Sequence, residues 1–151
     1  MNYAEKIQSL KLILPLPPNP AGSYQPVIYA GRLAFLSGQV SKSSDGKILT
    51  GKVGLDLTLE EGKEAACLAA LNVLSIIQNL VGFNRFEKIV RVVGYVQSAP
   101  NFYDISQVVN GASDLFIEVF GDHGAHARSS LGMTSLPLNA AVELEVTLET
   151  R

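Results

Sequence analysis

Val142-Glu143-Leu144-Glu145-Val146-Thr147-Leu148-Glu149 alternates apolar and polar residues without a break. Successive side chains of a β-strand point to opposite faces, so this stretch reads as a strand with one buried and one polar face. Upstream, Ile89-Val90-Arg91-Val92-Val93-Gly94-Tyr95-Val96 is rich in β-branched and aromatic residues and reads as a second strand. Val27-Ile28-Tyr29-Ala30 and Leu33-Ala34-Phe35-Leu36 flank Gly31-Arg32 as strand, tight turn and strand. A further strand is predicted at about 127–135, joined to a last strand at about 140–149 around Pro137-Leu138-Asn139.

Two long helices separate these strands. Thr58-Leu59-Glu60-Glu61 has the spacing of a capping box, and the helix it opens runs to about Val81, with Gly82 as its left-handed stop. Ala66, Ala70, Val73, Ile77 and Leu80 form its buried stripe. The second helix starts near Asp104 or Ser106 and ends near Gly121, with Val108, Ala112, Leu115 and Val119 on its inner face, widened by Val109, Phe116 and Phe120. A short amphipathic helix at 3–12 and a Pro-rich stretch (Pro15, Pro17, Pro18, Pro20) form an N-terminal arm over residues 1–20, packed on a domain at 21–151. The order ββ(β)–α–β–α–ββ predicts an α+β fold, an antiparallel or mixed sheet with both helices on one face. The other face then needs cover, which suggests an oligomer.

Composition agrees. At an average of about 25% charged residues a chain of this length would carry roughly 38 charges; it carries 12 basic and 14 acidic residues, with 47% hydrophobic residues and a mean hydropathy of +0.22. Intrinsic disorder is excluded, since it requires low hydrophobicity and high net charge. A net charge of −2 and a pI of 5.6 argue against a nucleic-acid module. Polar residues interrupt the longest apolar helix, so no membrane span is predicted. The lone Cys67 forms no internal disulfide, and the cytoplasm is the expected compartment.

Few residues are candidates for chemistry. His123 and His126 stand three apart without further ligands at zinc-like spacing, so no metal is expected and both read as exposed loop residues. Cys67, inside the first long helix, reads as a structural thiol. No glycine-rich phosphate loop is present. Arg128, in Ala127-Arg128-Ser129-Ser130, is followed by 14 uncharged residues up to Glu143. Such an arginine either holds a carboxylate with two parallel N–H groups or makes an ion pair at a strand end. If the last two strands form a hairpin, Arg128 and Glu143 lie about four residues apart, roughly 13 Å. One cleft then holds both only through leaning side chains, a bulge, or a neighbouring subunit.

Gly22-Ser23-Tyr24, Leu36-Ser37-Gly38-Gln39, Val109-Asn110, Ala127-Arg128-Ser129 and Ser135-Leu136-Pro137 followed by Val142-Glu143 occur in this order. Together they resemble the RidA/YjgF family of enamine/imine deaminases, also known by the label endoribonuclease L-PSP. The resemblance implies a chorismate-mutase-like α+β fold, a homotrimer whose sheets form a central barrel, and clefts between subunits. It implies that Arg128 binds the carboxylate of 2-aminoacrylate or a related 2-imino acid, that Glu143 positions the attacking water, and that Tyr24, Ser37, Gly38 and Asn110 line the cleft. Ser130 stands where the family commonly has cysteine, which changes the polarity of the substrate pocket. No cofactor is implied. The arm and a longer segment after Gln39 suggest a divergent, RidA-like subgroup. The alternative is a non-catalytic trimer of the same family that binds a small carboxylate metabolite; a ribonuclease is disfavoured by the acidic pI.

Overall fold

The computed structural model describes residues 1–19 and 23–151; Gly22 of the Gly-Ser-Tyr motif and the boundary between arm and domain lie outside the described residues. Six strands, β1 (Val27–Ala30), β2 (Leu33–Leu36), β3 (Gln39–Val40), β4 (Phe86–Gln97), β5 (Ala127–Met133) and β6 (Val142–Thr150), form one mixed sheet. Three helices accompany it: α1 (Tyr3–Ser9), α2 (Leu59–Ile76) and α3 (Ile105–Phe120).

β6 is the centre of this sheet. The order is β1-β2-β6-β4-β5, and β3 also pairs with β6. Val142, Leu144, Val146 and Leu148 are buried beneath the helices, while Glu143, Glu145, Thr147 and Glu149 line the opposite face. Both long helices pack on the first of these faces. The alternation of one segment thus sets which side of the whole sheet is core. On the other side Ile28, Leu33, Phe35 and Leu131 remain exposed.

The last two strands do not form a hairpin. β5 pairs parallel with β4, Arg128 beside Val92, and β6 pairs antiparallel with the other edge of β4, Val146 beside Val92. Parallel neighbours need a crossover, and α3 supplies it, so β4–α3–β5 is a βαβ unit. The segment after β5 passes the end of β4 through a 3-10 turn at Pro137–Asn139, in which Leu138 and Asn139 have φ of 62° and 56°. The strands are correspondingly shorter at this junction than the expected 127–135 and 140–149.

Helix boundaries follow local chemistry. Thr58 Oγ1 accepts from the Glu61 N–H and Glu61 Oε1 accepts from the Thr58 N–H, both at 3.1 Å. Gly82, at φ 87°, stops the helix. Between Ile77 and Val81 the chain takes a π-helical turn, which rotates the stripe: Ile77 and Val81 are buried, and Leu80, expected inside, is exposed. α1 is shorter than the expected 3–12 because Lys11 turns left-handed. Its Tyr3 ring packs edge-on against Phe83, Phe86 and Phe120, and the arm beyond is fixed by the buried Ser75 hydroxyl, which donates to the Pro15 carbonyl. The α2–π segment Leu59–Val81 is long and apolar enough to cross a membrane, but 61% of its apolar window is buried inside the domain, as in a core helix.

α2 and α3 cross at Gly111, where a Cβ would collide with the Lys63 carbonyl. Alanine gains about 1 kcal/mol of helix propensity over glycine, whereas overpacking against rigid backbone costs roughly 1–3 kcal/mol. Gly111→Ala is therefore expected to lower the melting temperature despite its better helix former; a raised melting temperature would show that the crossing yields.

Candidate functional site

Arg128 leaves β5 on the helix-covered side of the sheet and reaches α3. Its Nη1 donates to Asn110 Oδ1 at 2.8 Å and to Ser113 Oγ at 3.1 Å, and Nη2 donates to the Ser106 carbonyl at 3.3 Å. A guanidinium has five N–H donors in a planar fork. Three are committed to neutral acceptors, which leaves Nε–H and one Nη2–H. None of the ion pairs among the described residues involves Arg128. The strand-end ion pair is thus not what this residue makes. The protein thus clamps one side of a cation and leaves two of its donors without a protein partner among the described residues.

Ser130 follows two residues later, opposite Gly94, on the same face. Its Oγ is buried and, among the described residues, is the one buried side-chain polar atom without a hydrogen-bond partner. Asn110, Arg128 and Ser130 therefore form one group at the β5 edge.

Glu143 belongs to a second group. It pairs with Tyr95 and Val40 and points to the face away from the helices. Its carboxylate lies against Gly38, where any Cβ would strike Oε1. Ser37 beside it is held by its hydroxyl, which donates to the Gln25 carbonyl, and by its N–H, which donates to the Pro26 carbonyl. Tyr24 is exposed next to Ser37 along a shared cleft. A further cleft of about 390 Å³ is lined by Gly38, Tyr95, Ser135, Pro137, Glu143 and Glu145 among others. Burial, and then the Glu145 charge, raise the Glu143 carboxyl above its ordinary value.

The two groups do not meet within one chain. Arg128 is level with Val146 through Val92, three residues from Glu143 and two strands away. This is about 10 Å along the strand and about 10 Å across, with the side chains on opposite faces. Leaning side chains or a bulge cannot close such a gap, and the expected hairpin separation does not apply.

Two residues that hold this arrangement escaped the sequence reading. Gln97 is 2% exposed. Its Nε2 donates to the Gly51 carbonyl and Asn139 Oδ1, and its Oε1 accepts from the Leu136 N–H, at 3.0, 2.8 and 2.8 Å. It thereby fixes the turn that rims the Glu143 cleft. His126 is half-buried rather than an exposed loop residue, and its Nε2 meets Ser113 Oγ at 2.9 Å. His123 is exposed, its Nδ1 on the Glu87 carbonyl. Cys67 is half-buried, and its thiol is pushed up by burial and then by Glu64 and Glu118, as fits an inert thiol.

Residues 6–149 match the model of the family described as "YjgF/chorismate_mutase-like, putative endoribonuclease". The chain belongs to the RidA/YjgF family. Protein TCP17 of Trypanosoma cruzi is 39% identical over 148 residues, 97% of this chain and 92% of that protein. The 2-iminobutanoate/2-iminopropanoate deaminase of Dermatophagoides farinae is 26% identical over 132 residues, 87% and 88% of the two chains. An Agrobacterium tumefaciens structure of unknown function superposes with a TM-score of 0.89 at 34% identity, over 99% of this chain and 94% of that one.

The raised Glu143 carboxyl has a consequence for stability. Between its unfolded and folded values the native state binds the extra proton, so stability falls as pH rises through that window. Glu143→Gln is expected to raise the melting temperature at neutral pH and to flatten the decline between the ordinary carboxylate range and neutrality; unchanged thermal unfolding at both pH values would refute the buried-charge account. Gln97→Leu is expected to cost about 3 kcal/mol in denaturant unfolding, because it strands the Leu136 N–H and two further partners.

Proposed function

We propose that this protein is an imine deaminase that hydrolyses 2-imino acids of the 2-aminoacrylate type to 2-oxo acids and ammonia, at clefts between the subunits of a homotrimer. The observation that carries this reading is Arg128, a clamped guanidinium with two free donors and no carboxylate of its own. The similarity to a 2-iminobutanoate/2-iminopropanoate deaminase supports the reaction class.

The separation of the two groups supports the oligomer. Arg128 with Asn110 and Ser130 sits at one edge of the sheet, and Glu143 with Gly38, Ser37 and Tyr24 on its uncovered face. A second copy docked on that face, where Ile28, Leu33, Phe35 and Leu131 are exposed, brings Arg128 of one subunit to Glu143 of the next and closes the sheets into a barrel. Burying this apolar surface also supplies a driving force for association.

In such a cleft Arg128 takes the substrate carboxylate with its free fork. The iminium carbon is already electrophilic, so orientation, a water and a proton acceptor suffice. Glu143 accepts a proton as water adds to that carbon, and a carboxyl raised by burial is a stronger base than an exposed one. The proton returns to nitrogen, the C–N bond breaks, and ammonia leaves with the 2-oxo acid. The reaction asks for no metal or organic cofactor. The single cysteine fits a reducing compartment, and we place the protein in the cytoplasm.

Ammonia release from freshly generated 2-imino acids is expected to exceed background with the wild-type protein and to fall to background with Arg128→Ala. Equal rates for both at background would refute deamination; Arg128-dependent thermal stabilisation by 2-oxo acids without turnover would then identify a carboxylate-binding protein. Light scattering is expected to give three times 16.2 kDa, and a monomer would refute the shared cleft.

A further inference from the structure

Behind Arg128 runs a directed chain of hydrogen bonds. His126 Nδ1 lies 2.6 Å from the Gly124 carbonyl, which only accepts, so Nδ1 carries a proton. In the neutral ring Nε2 is then an acceptor. Ser113 Oγ, 2.9 Å away, must give its proton to that nitrogen. The lone pairs of Ser113 are left for Arg128 Nη1, which donates at 3.1 Å. Ser113 is 7% exposed, so water has little access to replace either contact. The ring also stands edge-on to Phe116, with centroids 6.1 Å apart.

We propose that Ser113 and His126 are positioning residues for Arg128: the imidazole holds the Ser113 proton, the hydroxyl oxygen thereby faces the guanidinium, and the free fork is kept pointed at the incoming carboxylate. This rests on the assignment of Arg128 as the carboxylate site. Neither residue touches substrate.

The surroundings of the ring make the device proton-linked. α3 presents the neutral Ser113 and Phe116, the turn before β5 presents the Gly124 carbonyl, and Arg128 is the charge that acts on the ring. His123 is engaged with Glu87 instead, and Arg91, beside Ala127 on β4, is exposed on the other face of the sheet. Burial and then the Arg128 charge hold His126 below its usual value, against the Gly124 hydrogen bond. The relay works with the neutral ring alone, because a protonated Nε2 donates to Ser113 Oγ and no longer holds the hydroxyl proton. By linkage, binding that depends on the relay favours the neutral ring, so ligand binding releases protons as pH falls through the His126 titration.

Calorimetry of 2-oxobutanoate binding to the intact protein, in two buffers of different ionisation heat on the acid side of neutrality, tests this. The wild type is expected to bind with net proton release, and net uptake would overturn the relay. His126→Phe, which keeps the ring against Phe116, is expected to lose that release and weaken binding roughly tenfold, the scale of one hydrogen bond to a charged group. Ser113→Ala is expected to weaken it similarly, the double variant no further, and Ser113→Thr to restore it. Release that survives in His126→Phe, or independent losses that multiply in the double variant, would overturn the relay while leaving the carboxylate site intact. If the wild type binds no 2-oxo acid, the site assignment itself fails. The relay is then decided by nitrogen NMR of His126 without ligand, where the neutral ring must carry its proton on Nδ1 and an Nε2–H tautomer overturns it.

Discussion

The two-residue period of β6, at the centre of the sheet, is the constraint on which the other features depend. Its aliphatic residues fix which side receives α2 and α3, and its carboxylates and Thr147 must then occupy the other side. Sheet pairing transmits this choice to every neighbour: Val92 and Arg128 fall on the helix side, Tyr95 and Glu143 on the open side. The division of the site into two groups follows directly. It is a property of strand geometry rather than of loop conformation, and no side-chain motion removes it.

Each half of the site is preorganised differently. On the helix side, neutral acceptors on α3 order a cation without neutralising it, so its charge stays unpaired within the chain. On the open side, a carboxylate is packed against Gly38 and beside Glu145, which opposes its ionisation. Both arrangements are poor for stability in an isolated chain, since each leaves a charge without a partner. Their common remedy is a ligand or a neighbouring subunit. Sites that bind or react commonly hold such locally unfavourable groups.

Much of the fold was legible in residues whose physics is local. The Thr58–Glu61 capping box, the stop at Gly82, the Gly31-Arg32 turn and the alternation of 142–149 each act over a few positions, and each stands where the sequence reading put it. The placement of β5 was not legible, because β5 and β6 are consecutive and joined by a Pro-containing turn that suggests a hairpin. The competing rule was that α3 already supplies a crossover for a parallel partner of β4. Leu80 was misplaced because a π-helical turn leaves no mark in a 3.6-residue pattern. Of the site, the motif residues could be named from the sequence, but the roles of Gln97 and His126 could not be read there. Their roles depend on hydrogen-bond partners 39 to 46 residues away in one case and on a tautomer set by a backbone carbonyl in the other.

The central claim is that a working site takes Arg128 from one subunit and Glu143 from another. Subunit complementation measures this most directly: Arg128→Ala and Glu143→Gln variants, each inactive alone, are unfolded together, refolded as mixed oligomers and assayed for ammonia release from 2-imino acids. The account predicts that activity returns in the mixture, because mixed oligomers contain clefts with both residues intact. Mixed oligomers of confirmed composition that stay inactive, while wild-type protein refolded in the same way is active, would contradict it.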